Sequence, residues 1–247
     1  MNMKKRLIII LSGPSCVGKS PLIKALKKVH PEISFRMPVL HTSRPPRSIE
    51  TEGVDYYFRT EEDIRSYPPE RYIIGQIRNI WQAIDLMEMQ ALSTGGSLII
   101  LEIYPTLGKL FRDHPLIRQL ALDFELCTVF ISPASEDEIH ALQINMGFRS
   151  PEETAAAIML PKLISRTQQQ EKLLTPDVLE DLQTRASMAY AEMQMGENYT
   201  HRIVNHDGED SHNWRYTPPL GDAGETLARF VDIISKQKKS RDNAFPL

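Results

Sequence analysis

The sequence predicts an α/β fold: a doubly wound parallel sheet with helices on both faces. Three observations carry this. Continuous apolar runs recur along the chain, helical stretches separate them, and a glycine-rich loop joins the first run to the first helix. Runs of that kind suit strands covered on both sides. Their alternation with helices gives a sheet that binds ligands at the carboxyl ends of its strands.

Taken in order, "RLIIILSG" from Arg6 to Gly13 is the first buried strand. After the loop, "PLIKALKKVHP" sets Leu22, Ile23 and Leu26 on one face of a helix that stops before Pro31. "SLIILEIY" and "LCTVFISP" read as two further buried strands and "HRIVNHD" as a shorter one. "GETLARFVDIISKQKK" closes the pattern as an amphipathic helix, with a solvated end from Lys236 onward. Two stretches fit the frame less well. Residues 136–189 are helical but polar, and "HDGEDSHNWRYTPPLGD" is a turn-rich surface loop.

The composition narrows the function classes. A chain of 247 residues with 41% hydrophobic and 25% charged residues is ordinary for a globular protein. A formal net charge of only −3 supplies no field toward nucleic acid or an anionic membrane, so neither partner is expected. The opening apolar run is too short to span a bilayer and lacks a small-residue cleavage site, so it reads as a strand rather than a signal. Cys16 and Cys127 lack metal-ligand spacing, and the expectation is a reduced, cytoplasmic protein. Oligomeric state is left open.

"GPSCVGKS" matches the phosphate-loop pattern G-x-x-x-x-G-K-[ST]. Residues Gly13, Pro14, Ser15, Cys16, Val17 and Gly18 would turn backbone N–H groups toward phosphate oxygens. Lys19 would bring a charge to the β- and γ-phosphates of a triphosphate, and Ser20 would ligate Mg²⁺. The strand before it and the helix after it are the context that pattern requires. Downstream, "TSRPPRSIETEGVDYYF" places Arg44 and Arg47 on a proline-stiffened turn, either a clamp for a second anion or a solvated basic loop.

These two segments together resemble the guanylate kinase family. The family carries S-G-P-S-G-V-G-K-S, then T-[ST]-R-x-P-R-x-x-E-x-x-G-x-D-Y-x-F. Here the second reads Thr42, Ser43, Arg44, Pro46, Arg47, Glu50, Gly53, Asp55, Tyr56 and Phe58 with the spacing intact. The resemblance implies a P-loop kinase core with a monophosphate-binding lobe and a helical lid. It divides one domain into a core (about 1–35, 98–134 and 186–247), an acceptor lobe (about 36–97) and a lid (about 135–185). It also implies ATP and Mg²⁺ as cofactors, and a small phosphorylated acceptor, a nucleotide by family, as partner. Arg44, Arg47 and Tyr56 would grip the acceptor phosphate. Asn205, in "HRIVNHD", would lie near adenine, and Glu102 would join Ser20 around Mg²⁺.

The chain departs from the family at two places. In "RYIIGQIRNIWQAID", Asn79 and Trp81 stand for an asparagine and a tyrosine, but Gln82 and Ala83 replace a glycine and a hydroxyl residue. The guanine-reading glutamate has no counterpart among Tyr72, Ile73, Ile74 and Gly75, and Tyr104 replaces an aspartate. Asn79, Trp81 and Gln82 are therefore the candidate base contacts. In the lid, one alignment leaves only Arg149 near the family's arginine positions and another offers Arg166 and Arg185. The reading is a nucleoside monophosphate kinase, with GMP the acceptor by family. A kinase of a sugar phosphate and a catalytically weak binding module are the alternatives.

Overall fold

A computed structural model describes residues 6–47, 50–92, 98–120, 124–170 and 173–243, with backbone alone at 118–120 and 240–243. Strand β1 (Arg6–Ser12) leads through the glycine loop into helix α1 (Lys19–Val29). Then come β2 (Phe35–Arg36), β3 (Leu40–Thr42), β4 (Tyr56–Phe58), α2 (Glu61–Arg65), β5 (Tyr72–Ile77) and β6 (Ile80–Asp85). Next are α3 (Leu86–Leu92), β7 (Leu98–Glu102), α4 (Pro105–Asp113), α5 (Pro115–Leu120) and β8 (Phe124–Ser132). The last part holds α6 (Glu136–Met146), α7 (Pro151–Gln169), α8 (Pro176–Ser187), α9 (Ala189–Gln194), β9 (His201–Val204) and α10 (Gly221–Asn243).

One sheet has the order β2-β7-β1-β8-β9, with β2 parallel to β7 and β8 parallel to β9. Strand order reverses at β1, so the glycine loop leaves the sheet at its switch point. Leu7, Ile8, Ile9 and Ile10 are all buried, as the unbroken apolar run requires. The chain forms two compact units, residues 1–10 with 34–127 and residues 11–33 with 128–247.

The first unit contains the smaller sheet, β4-β3-β6-β5. β5 and β6 make a hairpin through the two-residue turn Arg78-Asn79, with Arg78 at φ 57. Leu40 is paired with Tyr56, Thr42 with both Phe58 and Gln82, and Gln82 with Gly75. Paired residues share a face and alternate residues return to it. Leu40, Thr42, Tyr56, Phe58, Gly75 and Gln82 therefore share one face, and His41, Trp81 and Ala83 share the other. A Cβ on Gly75 would lie 2.7 Å from Leu110 and 3.1 Å from Leu107, so α4 approaches that face too closely for a side chain there. On the opposite face His41 is buried against Tyr67, whose hydroxyl lies 2.9 Å from its Nδ1.

The second unit is mostly helical. The polar stretch 136–189 resolves into α6, α7 and α8. The α6 helix begins with a reciprocal cap between Ser135 and Glu138, and α7 carries Pro161 in its interior. Helix α10 runs on to Asn243, seven residues beyond the expected start of a solvated tail at Lys236; residues 244–247 of that tail lie outside the described residues.

Candidate active site

The glycine loop is held in a conformation that few residues adopt. Gly13, Cys16 and Gly18 have φ values of 149°, 66° and 91°, positive-φ backbone of the kind from which anion-binding concavities of N–H groups are built. A Cβ at Gly13 would stand 2.2 Å from the Ile131 carbonyl oxygen, so only glycine fits. Lys19 donates from Nζ to the carbonyl oxygens of Gly13 (2.8 Å) and Pro14 (2.7 Å), folding its ammonium over the loop.

Residues far along the chain brace this loop. Asn205, fully buried, donates from Nδ2 to Val17 O at 2.8 Å, and its backbone N–H donates to Ser132 O at 2.8 Å. Its Oδ1 accepts from Asp207 N–H at 3.2 Å. The structure thus places Asn205 beneath the loop, with both ends of its amide used inside the protein. Glu209 N–H donates to Cys16 O at 2.8 Å. Trp214 donates from Nε1 to Gly208 O at 2.9 Å and lies where a Cβ on Gly18 would be 3.1 Å from its ring. Cys16 Sγ donates to Lys162 O at 3.3 Å, and burial pushes its pKa up to about 11, so the thiol is inert.

The arginine turn in the first unit is equally built. Glu50 accepts both arms of Arg44, at 2.6 and 2.5 Å, and also Arg47 N–H at 2.8 Å. Burial works against the charge on Glu50, but these bonds hold its pKa below the usual carboxylate value. The Arg44 guanidinium lies 4.8 Å from the Tyr56 ring and 5.7 Å from the Phe58 ring. Burial, with Glu102 and Tyr104 nearby, pushes Tyr56 up to about 12, so its hydroxyl keeps its proton and can donate.

Sequence comparison adds to the geometry of the glycine loop and the arginine turn. The family model for guanylate kinase matches residues 4–160, more than half of the chain. The chain belongs to the guanylate kinase family. Among the family's members, a guanylate kinase of Rickettsia bellii (strain RML369-C) is 25% identical over 242 residues, covering 98% of this chain and all of that protein. One from Synechococcus sp. (strain JA-3-3Ab) is 52% identical, but over 56 residues, a quarter of its length. The crystal structure of guanylate kinase from Anaplasma phagocytophilum shares the fold, with TM-score 0.57, 18% identity, and coverage of 95% of this chain and 87% of that one.

Against the guanylate kinase motifs, the candidate residues separate. Gly13 to Ser20 form one loop, and Arg44, Arg47 and Tyr56 gather around Glu50. The grouping of Asn79, Trp81 and Gln82 does not hold, because strand alternation splits it. Gln82 shares the Tyr56 face; Trp81 projects from the other, with the Arg65 guanidinium 5.3 Å from its ring; Asn79 is exposed in the hairpin turn. Of the three lid candidates, Arg149 is exposed and Arg185 sits 3.4 Å from Asp181. Arg166 is tied to the loop: its Nη1 donates at 3.0 Å to Glu209, whose own N–H holds Cys16.

Sequence reasoning missed four working residues. Glu50 was visible in the motif but carried no role. Lys162, Glu209 and Trp214 lay in stretches read only as insertion or surface loop, and no local pattern marks them.

Proposed function

We propose that the protein transfers the γ-phosphate of ATP to the phosphate of a nucleoside monophosphate, GMP being the acceptor its relatives' names suggest. The observation that carries this reading is the coexistence in one chain of a positive-φ glycine loop under the Lys19 ammonium and an arginine turn organised by Glu50 beside Tyr56, two arrangements suited to phosphate. The loop suits a triphosphate because its turned N–H groups and the Lys19 ammonium converge on one path. Lys19 would exchange the Gly13 and Pro14 carbonyls for phosphate oxygens. Ser20 and Glu102 are the residues this reading gives to Mg²⁺. Among the described residues no group of three or more His, Cys, Asp or Glu is placed to hold a metal ion, so in this reading phosphates and water would complete the shell. When bound, Mg²⁺ neutralises charge on the β- and γ-oxygens.

At the other end, Glu50 fixes the Arg44 fork before the acceptor arrives, and Tyr56 offers an O–H. An acceptor phosphate oxygen then attacks the γ-phosphorus in line as the bond to ADP breaks. The transfer forms no covalent bond to the protein. Arg166 is the proposed lid cation, since it is tied to the loop through Glu209.

The test is ADP release from Mg-ATP with GMP, in wild type and Lys19→Ala. Turnover should fall by at least about 100-fold in the variant. Equal turnover in both would overturn the assignment of the loop.

A further inference from the structure

The face of the smaller sheet that carries Tyr56 holds two polar atoms with nothing to bind. Thr42 is fully buried and Gln82 is 5% exposed. Thr42 Oγ1 and Gln82 Oε1 make no hydrogen bond among the described residues. They belong to paired residues on β3 and β6, so the two orphans are neighbours on one face. Buried polar atoms are almost always paired, and an exception calls for an explanation, a ligand group among them.

Their position says which part of a ligand they would meet. Thr42 pairs with Phe58, and Arg44 stands over both Phe58 and Tyr56. Thr42 precedes Arg44 by two residues, at most about 7 Å along the chain. The next residues on this face, away from Arg44, are Leu40 on β3 and Ile84 on β6, with Ile73 paired to Ile84. All three are buried and apolar. Opposite Gln82 on β5 is Gly75, which brings only the Leu107 and Leu110 side chains of α4. Beyond Thr42 and Gln82 the sheet's own residues on this face are hydrocarbon except Tyr56, which pairs with Leu40, has Glu102 and Tyr104 nearby and belongs to the phosphate clamp.

We propose that Thr42 and Gln82 are the acceptor-specificity pair, binding a sugar hydroxyl close to the acceptor's phosphate, and that the far edge of a base is not read. A hydroxyl both donates and accepts: its O–H suits the Gln82 amide oxygen and its lone pairs suit the Thr42 O–H. The pair is uncharged, so it does not favour guanine's two adjacent N–H groups as a carboxylate would. The ligand class is a phosphorylated sugar, with or without a base, and nucleoside monophosphates enter as members of it. The inference rests on the Arg44 group being the acceptor's phosphate site.

Calorimetric titration of the full chain with GMP, IMP, AMP, ribose 5-phosphate and orthophosphate tests it, using wild type, Thr42→Val, Gln82→Leu and Arg44→Ala. The four sugar phosphates should bind wild type within about fivefold of one another. Each of the first two variants should weaken all four by about 5- to 10-fold, the loss of one hydrogen bond. Both should leave orthophosphate binding unchanged and hold or raise Tm, because an apolar group replaces a buried orphan. GMP binding more than tenfold tighter than IMP and AMP overturns the proposal, as do Thr42 and Gln82 variants that bind like wild type. Variants that lose orthophosphate binding and melt earlier would make the pair structural, which also overturns it. Should nothing bind wild type, or Arg44→Ala bind as wild type does, the acceptor site itself is misassigned.

Discussion

At the scale of single residues, Glu50 decides whether the arginine turn is a clamp or a pair of loose cations. A guanidinium on a flexible stem must be ordered before it can hold a phosphate, and Glu50 does this with both oxygens. Glu50→Gln keeps the shape but gives up one acceptor oxygen and the charge. The Michaelis constant for the acceptor should rise about tenfold or more, while that for ATP stays within about twofold. Steady-state kinetics with each substrate varied in turn will check this, and equal effects on both would deny Glu50 its positioning role. Much of this was legible, since Arg44, Arg47, Glu50 and Tyr56 lie within thirteen residues at fixed spacing. Thr42 and Gln82 were harder. Forty residues separate them, and only the β3–β6 register makes them neighbours.

At the scale of elements, the phosphate loop has a second support that its own motif does not encode. Lys162, Arg166 and Gln169 recur at helical spacing on α7. Lys162 reaches His206 O, Arg166 reaches Glu209, and Gln169 reaches Asp210 O. One helix stripe thus grips the 206–210 loop, while Lys162 O takes the Cys16 thiol. The strand, loop and helix around Gly13–Ser20 were readable because a continuous apolar run, a loop bounded by two glycines and a helix start follow one another in sequence, although the positive φ of Cys16 has no sequence mark. The α7 grip was not, because its partners lie about forty residues away in a loop without periodicity. Removing Arg166 as Arg166→Met should leave Glu209 partly buried without its cation and cost on the order of 1–3 kcal/mol. Thermal melts should show that loss, and turnover should fall with it. Glu209→Gln, which keeps a hydrogen bond, should lose less stability; a variant with equal loss would mean that charge, not docking geometry, holds the helix.

For the whole molecule, the fold class followed from patterns that each strand and helix states locally, but the ties between distant segments are what make stability depend on pH. His206 is the clearest of these. Its Nδ1 lies 2.6 Å from Asp222 at the start of α10, and its Nε2 lies 3.0 Å from Glu138 in the first turn of α6. Lys162 from α7 meets its carbonyl, and Asp207 is its neighbour in the loop. Burial disfavours the imidazolium, but the bonds to Asp222 and Glu138 outweigh it and raise the pKa above the ordinary 6.5. A pKa raised by folding means that the protonated form is the stabilised one. The contribution is complete below about pH 6.5 and disappears as pH climbs through the folded value. His206→Gln removes it. Relative to that variant, wild type should therefore gain most below about pH 6.5 and lose that advantage as pH rises through the raised folded value. Tm measured for both proteins across that range gives the answer, and a difference that stays constant with pH would show that His206 contributes by packing alone.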